Sequence, residues 1–532
     1  QRMNPLEKID LAMKLLTEGQ VQRAAQLSSQ VLGELPDSAT SHYLACEVAI
    51  VQNRLKQALE HINQAVSIDD RQPQLLLKKA HVEVMCRQGL LAQETASAAA
   101  ARFPDDVAVQ LEAAQVFSQC GNHADAEAFL LKAGELDPKN PKFLFEFSTN
   151  QFFLGKTDKA EEAVSDFLAL PLSAKGRKLL LRAQLRKQTP ENNHVDSIRK
   201  FLAGQLPESE RVNGNYALAR ELEDIGEYSE SFEALQSGAA IQRKRVNFNL
   251  AGELKNINDL IETFQPEAFA GIPESTATDR PVFIVGMPRT GTTLVERIIR
   301  QHEGARSAEE SYDFTLAFST VINDFIAGSL DSDMNPLSAA LQVDYNEIAR
   351  NYRNSMKGMY GEAEYYIDKT PFNFLYCGLI NKAFPKARIL HLVRNPMDTC
   401  FAVYKTLFSK AYYFSYDLSE LADYYVAYRR LMDHWRGLMP GAILDVKYEE
   451  LVSNPIDVSR QIADFIGIEW SERLIEVQEI EGASSTASAA QVREPIYTSS
   501  VDLWHHYAIE LEPLRERLTA AGIVDASGDP LV

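Results

Sequence analysis

The sequence predicts a chain of two unlike parts, an N-terminal all-α solenoid and a C-terminal α/β domain with a central parallel sheet. Three observations predict it. Residues recur at a fixed interval through the first third; a glycine-rich turn joins a β-branched run to a helical one at residues 282–300; and a second apolar run, 387–393, ends in Arg394. At 532 residues the chain exceeds what one core organises, so more than one domain is expected. With 45% hydrophobic and 24% charged residues it has the composition of a soluble globular protein, and no stretch reaches the roughly eighteen apolar residues of a membrane span.

The solenoid rests on phase. Ala24, Ala58, Ala92, Ala126 and Ala160 lie 34 residues apart, and five residues before them stand Gly19, Asn53, Arg87, Gly121 and Gly155. Pro36, Asp70, Pro104 and Pro138 keep the same interval, with Pro171 one residue early. This is the pattern of a helix, a tight turn, a second helix carrying a small residue where helices touch, and a break. One such pair cannot bury its own apolar face, so neighbours must stack. The pattern resembles the tetratricopeptide repeat over residues 5–175, which implies a groove for a protein partner: a peptide, another subunit or the catalytic domain beside it. Beyond it the register is lost, although 213–245 reads as one more helix pair with Gly226 at its turn. A Pro/Ser/Thr-rich linker, QPEAFAGIPESTATDRP, follows. The expected division is repeats at 1–175, further helical pairs at 176–265 and the α/β domain at 266–532.

The stretch Val282-FIVGMPRTGTTLVERIIR-Arg300 places a glycine loop between a strand and a helix. Gly286 to Thr293 fits the phosphate-loop pattern G-x-x-x-x-G-K-[ST] except at the lysine, which is Thr292. Main-chain N–H groups of such a turn, with the positive end of the helix, hold phosphate oxygens. Gly286, Pro288, Arg289, Thr290, Gly291, Thr292 and Thr293 are the candidate ligands. The cation has moved to Arg289, and the strand at 387–393 ends in Arg394, where a magnesium-binding loop would place a carboxylate. A nucleoside triphosphate is therefore a poor fit.

These residues carry a resemblance. P-V-F-I-V-G-M-P-R-T-G-T-T is similar to the 5′-phosphosulfate loop of the sulfotransferases, and L-V-R-N-P-M-D to their 3′-phosphate element. Joined to the repeats, they resemble the bacterial tetratricopeptide-sulfotransferase fusions over about residues 280–515. The resemblance implies 3′-phosphoadenosine 5′-phosphosulfate as donor, adenosine 3′,5′-bisphosphate as product, and no metal. It also implies that Arg289 stands beside the bridging oxygen of the donor and that Arg394 grips the 3′-phosphate. Lys369, 25 residues before Arg394, matches the lysine that contacts the transferring group. Small-molecule sulfotransferases carry K-T-H, and here the tripeptide is Lys369-Thr370-Pro371, without the histidine base. Residues 302–311, HEGARSAEES, instead resemble the tyrosylprotein sulfotransferases, whose second glutamate is the base; that position is Glu310. A carboxylate in this role is expected to be partly buried.

One family residue is missing. The serine eight residues after the arginine is Ala402 here, so compensation is expected from Thr399 or from the C-terminal segment 484–507. That segment resembles the family's cofactor lid, with Ser488 and Arg493 as phosphate contacts and Pro495 and Tyr497 fixing the turn. His505 and His506 have no third ligand at metal spacing.

The acceptor implied is a hydroxyl on a peptide tyrosine, another phenol or a glycan. Net charge −20 excludes a general nucleic-acid or membrane-surface binder, so any bound anion needs a local cradle. Five scattered cysteines and an N-terminus without a secretory pattern lead to the expectation of a cytoplasmic protein. Two other readings compete: a P-loop kinase with an aberrant loop, and a non-catalytic repeat scaffold with a degenerate nucleotide domain.

Overall fold

The computed structural model describes residues 3–477, 484, 496 and 498–531. The chain divides into two compact units, Gln1–Asn150 with Ser355–Glu362, and Gln151–Asn354 with Ala363–Val532.

The first unit is a stack of helix pairs: Pro5–Thr17 with Val21–Glu34, Ala39–Val51 with Leu55–Ile68, Pro73–Met85 with Gly89–Arg102, and Val107–Gln119 with His123–Leu136. The period continues through Pro141–Phe153 and Thr157–Ala169. All five residues at the intra-pair turn are left-handed: Gly19, Asn53, Arg87, Gly121 and Gly155 have φ between 57° and 75°. The turn geometry therefore outweighs residue preference, since Arg87 adopts it as well. The five periodic alanines are fully buried. Each core layer unites a pair with the first helix of the next; Cys46, Ala49, Ala58, Ile62 and Ala65 pack with Leu75 and Val82. This nearest-neighbour burial is what makes a solenoid of units that are unstable alone.

The second unit carries further helices, Gly176–Leu185, Val195–Leu202, Glu208–Asp224, Tyr228–Arg245 and Leu250–Thr263. The pair 208–245 turns at Gly226 (φ 86°), as its sequence predicts. The linker is more structured than its composition suggests. Pro266–Gly271 is helical with Phe269 buried, Ser275 donates its N–H to the Lys382 carbonyl at 2.9 Å, and Thr276 N–H donates to Asn346 Oδ1 at 2.8 Å. A segment rich in Ser and Thr has many ways to hydrogen-bond a neighbouring surface, which polarity alone does not reveal.

Five parallel strands follow: β1 (Val282–Gly286), β2 (Ala305–Ser307), β3 (Tyr365–Asp368), β4 (Arg388–Val393) and β5 (Ile443–Lys447), in the order β2-β3-β1-β4-β5. β1 is central and buried on both faces, which explains its unbroken apolar run. Val282 and Ile284 meet Val295, Ile298 and Ile299 of helix Thr292–Arg300 and Ile462 of helix Pro455–Ile466. Phe283 points the other way, its ring 5.6 Å from Phe314 and 5.7 Å from Tyr352. Among the described residues no helix is long and apolar enough to cross a membrane.

Ala126 is fully buried in helix His123–Leu136, so Ala126→Leu inserts volume where two helices already touch. The expected cost is about 1–3 kcal/mol, read as a lower urea midpoint for the full chain, with Ala126→Ser close to wild type.

Candidate functional site

In an open parallel sheet, ligands bind beyond the carboxyl ends of the strands, where strand order reverses. β1 sits at that reversal, between β3 and β4, and the sequence-predicted residues with described positions gather at the same edge. Gly286 ends β1, Glu310 lies three residues past β2, Lys369 follows β3, and Arg394 follows β4.

The loop after β1 is tightly wound. Gly286 has φ 141° and runs so close to β4 that a Cβ would lie 2.8 Å from the Leu392 carbonyl oxygen. Gly291 has φ 98°, and a Cβ there would lie 2.6 Å from the Tyr448 ring. Arg289, between them, is left-handed at φ 67°. The Thr290 hydroxyl donates to the Met287 carbonyl at 2.7 Å and closes the turn, and Thr292 and Thr293 are buried at the start of the helix. Among the described residues that helix has no side-chain cap, and it has no acid in its first turn, so its own sequence puts no negative charge on its N-terminal amides.

Arg394 joins three strand ends. Its Nη1 donates to the Arg289 carbonyl at 3.0 Å, its Nη2 donates to the Ser500 carbonyl, and its guanidinium lies 4.9 Å from the centre of the Tyr448 ring. Tyr448 follows β5, and its hydroxyl is 2.7 Å from the Ser500 hydroxyl. Arg394 is 8% exposed, and its Nε has no hydrogen-bond partner among the described residues. Asp398 accepts from the N–H groups of Asp502 (2.7 Å) and Trp504 (3.1 Å), which fastens the C-terminal segment beside it.

Two glutamates side by side take different partners. Glu309, left-handed at φ 49°, lies 3.6 Å from Arg300, whereas Glu310 accepts from Lys369 Nζ at 2.9 Å. Lys369 is fully buried, but the Glu310 side chain is 47% exposed, more than the sequence reading expects of a base. The junction of β2 and β3 is what aligns them. The Lys369 N–H donates to the Glu309 carbonyl at 3.0 Å. The Thr370 hydroxyl lies 2.7 Å from both the Ser311 carbonyl and Asp368 Oδ1, and accepts from the Ser311 N–H at 3.0 Å. Asp368 also accepts from Tyr352 Oη and Asn373 Nδ2, each at 3.2 Å. Near Glu310, Tyr412 stacks on Phe372 with ring centres 4.5 Å apart; burial, and then the Glu310 charge, push its hydroxyl well above the usual phenol range.

The Thr399 hydroxyl is fully buried and donates to the Arg394 carbonyl at 3.3 Å, whereas Ser500 of the C-terminal segment touches the guanidinium itself. Ser488, Arg493, Pro495 and Tyr497 lie outside the described residues. His505 stacks on Trp504 and His506 on Tyr228, at 4.0 and 4.3 Å between ring centres. Sequence reading missed Asp368, Thr370, Tyr448 and Ser500. Asp368 and Tyr448 carry a usable signal, since each stands at the carboxyl end of a strand that joins the sheet.

Residues 281–472 match the sulfotransferase family, and residues 15–82 match the tetratricopeptide repeat. An uncharacterized protein of Aquifex aeolicus (strain VF5) is 28% identical over 406 residues, 74% of this chain and 52% of its own length. Protein-tyrosine sulfotransferase 2 of Gallus gallus is 26% identical over 245 residues, 42% of this chain and 62% of that protein. The sulfotransferase domain from the Synechococcus PCC 7002 olefin synthase aligns at 20% identity and TM-score 0.32, over 44% of this chain and 90% of that one. The chain thus spans about half the length of the Aquifex relative.

Asp368 yields a pH signature. Burial pushes its carboxyl up to about 7; Asp313 adds to the rise, while Thr370, Tyr352 and the Lys369 charge oppose it. The folded chain then holds a proton that the unfolded chain releases near pH 4, so this group's contribution to stability falls as pH rises from about 4 to about 7 and levels off above. Asp368→Asn has no such proton, so thermal unfolding at pH 5 and pH 8 should show the variant gaining on wild type at the higher pH.

Proposed function

We propose that the sulfotransferase-family domain of this chain moves a sulfuryl group from 3′-phosphoadenosine 5′-phosphosulfate to an acceptor hydroxyl. The observation that carries the reading is the Lys369–Glu310 contact of 2.9 Å, made between residues 59 apart in sequence at the ends of neighbouring strands β2 and β3. A cation and a carboxylate are paired there beside a phosphate loop whose own lysine is gone.

The residues fit such a donor. Gly286 and Gly291 leave a cradle that a Cβ would fill, and Arg394 offers an unpartnered buried N–H held by carbonyls in place of carboxylates. In this reading the amides of residues 287–293 hold the 5′-phosphate and Arg394 the 3′-phosphate. The donor supplies an electrophilic sulfur on a phosphate leaving group. Glu310 takes the acceptor's proton as the oxygen–sulfur bond forms; the bond from sulfur to the phosphate oxygen breaks, and the phosphate keeps the electron pair. Arg289 and Lys369 balance that growing charge, as fixed cations in a water-poor site do. No step calls for a divalent metal.

Phe372 and Tyr412 beside Glu310 favour a flat aromatic acceptor, a tyrosine or another phenol, over a glycan. The repeat unit is suited to hold a protein partner. A P-loop kinase is disfavoured by Thr292 in place of the lysine and Arg394 in place of the carboxylate, and a degenerate scaffold by the joint presence of Arg289, Glu310, Lys369 and Arg394.

Adenosine 3′,5′-bisphosphate at a hundred times its dissociation constant is expected to stabilise the full chain by about 2.7 kcal/mol in a thermal-shift assay, while Mg·ATP shifts it little. Arg394→Ala should weaken the bisphosphate roughly 10- to 100-fold, the loss of a charged hydrogen-bond partner. Selective stabilisation by Mg·ATP would instead establish the kinase. Glu310→Gln should keep bisphosphate affinity within about two-fold and lower the transfer rate by roughly 10²–10⁴, the range of general-base catalysis; unchanged turnover in that variant removes Glu310 from the role.

A further inference from the structure

The turn after β3 holds a hydroxyl with more acceptors than it has protons. Thr370 Oγ1 lies 2.7 Å from the Ser311 carbonyl and 2.7 Å from Asp368 Oδ1, and it accepts the Ser311 N–H at 3.0 Å. A threonine hydroxyl carries one proton and two lone pairs, so it donates to the carbonyl or to the carboxyl and not to both. The carbonyl has no proton of its own to give. Both 2.7 Å contacts are therefore hydrogen bonds at once only when Asp368 carries a proton and donates it to Thr370. The surroundings of Asp368 suit that proton. The carboxyl is fully buried, Asp313 brings a second carboxyl from helix Asp313–Gly328, and Tyr352 Oη of helix Tyr345–Tyr360 and Asn373 Nδ2 are long contacts of 3.2 Å. Lys369, the adjacent cation, gives its ammonium to Glu310 instead. The rise of the Asp368 carboxyl to about 7, caused first by burial, agrees with this proton count.

Thr370 also joins the two segments that carry the proposed base and its cation. β2 and β3 pair in parallel, and their ladder runs on past the strand ends: the Ala308 N–H donates to the Ile367 carbonyl at 2.9 Å, and the Lys369 N–H to the Glu309 carbonyl at 3.0 Å. The next rung is made by a side chain. Thr370 takes the Ser311 N–H and returns its own proton to the Ser311 carbonyl. Glu310 is thus bracketed between a main-chain rung at Glu309 and a side-chain rung at Ser311, and the opposite ends of those rungs are Lys369 and Thr370. When Asp368 ionises, its carboxylate is the stronger acceptor and claims the Thr370 proton. The Ser311 carbonyl, on a residue 6% exposed, then loses its donor, and the rung beside Glu310 keeps one of its two bonds.

We propose that Thr370 is a positioning residue for sulfuryl transfer and that Asp368 governs it: as the acid it leaves the Thr370 proton on the Ser311 carbonyl, and as the carboxylate it takes that proton away. The alignment of Glu310 with Lys369 is then tighter below neutral pH than above it. This inference rests on the sulfotransferase reading, and both residues act through Glu310 and Lys369.

The test follows release of adenosine 3′,5′-bisphosphate from 3′-phosphoadenosine 5′-phosphosulfate by the full chain, with 4-methylphenol as acceptor. It is run at about pH 6 and about pH 8.5, on either side of the Asp368 transition. Rates are compared as variant-to-parent ratios at each pH, which cancels the acceptor's own ionisation. The ratio of Asp368→Asn to wild type is expected to rise about two- to ten-fold from the lower pH to the higher, the weight of one hydrogen bond. Thr370→Ser keeps the hydroxyl, so Asp368→Asn added to it should give the same rise. Thr370→Val removes the hydroxyl, and in that background the rise should vanish; Thr370→Ala carries the same prediction where Thr370→Val does not fold. Bisphosphate affinity is expected to stay within about two-fold of wild type throughout, since a positioning role leaves ground-state binding unchanged. No rise in the wild-type background overturns the proposal. An equal rise in the Thr370→Val background overturns it as well, by making Asp368 act on Lys369 through space and not through the hydroxyl. Weakened bisphosphate binding in Thr370→Val gives the hydroxyl to the donor and overturns it in a third way. A wild-type chain that binds no bisphosphate, or releases none from the donor, instead brings down the sulfotransferase reading, and this inference with it.

Discussion

The close approach of β1 to β4 at Gly286 is the constraint on which the second unit turns. With only 2.8 Å between an added Cβ and the Leu392 carbonyl oxygen, no side chain fits there without moving a strand. That contact brings the loop after β1 within reach of the residue after β4, and Arg394 can then donate to the carbonyl of Arg289. The same loop needs a second bare position at Gly291, where the Tyr448 ring arrives from the end of β5. Two glycines five residues apart therefore let three strand ends share one small volume, and Arg394 turns that proximity into a fixed geometry.

Buried charge is handled differently at the two sides of this volume. Around Arg394 the partners are main-chain carbonyls and an aromatic face, which orient a guanidinium without neutralising it. Around Lys369 and Lys405 the partners are carboxylates, Glu310 and Glu223. A cation held by carbonyls is oriented without a direct ion pair, although the Asp398 carboxyl beside Arg394 feels its charge; a cation held by a carboxylate is kept in place at the expense of part of its field. In the proposed reaction the first arrangement suits binding of a nucleotide phosphate, and the second suits Lys369, which must stay in place as the sulfuryl group moves.

Much of this was legible in the sequence, for reasons that differ by region. The repeat could be read because the same turn recurs: Gly19, Gly121 and Gly155 mark it by composition, and the interval finds Asn53 and Arg87 where composition does not. The loop could be read because a phosphate cradle demands particular residues at fixed offsets. Arg394, Glu310 and Lys369 came through resemblance. What stayed hidden were partners joined only by the fold. Nothing in Glu223 sets it apart from the other acids of its helix, and it is bonded to Lys405 and Tyr507, 182 and 284 residues away. The linker was hidden for the opposite reason, since Ser275 and Thr276 look like solvated residues and are hydrogen-bonded to the domain.

Backbone strain falls at the same places as the proposed chemistry. Among the described residues six non-glycine positions have left-handed backbone: Asn53 and Arg87 at repeat turns, and Arg289, Glu309, Tyr412 and Asp502 in the second unit. The four in the second unit fall on the loop after β1, beside Glu310, at the ring that stacks on Phe372 and in the segment fastened to Asp398. Each costs of order 1–3 kcal/mol and persists only where its surroundings over-determine it. Arg289 is held by Arg394 through its own carbonyl, and Glu309 by the Lys369 N–H on its carbonyl. The two cases differ in what holds them: Arg289 is fixed by a charged side chain, whereas Glu309 is fixed by a main-chain N–H that any residue at 369 keeps. Removing Arg394 therefore takes away a charge and also releases the backbone that aims Arg289, while removing the Lys369 side chain takes away a charge and leaves the Glu309 carbonyl bonded.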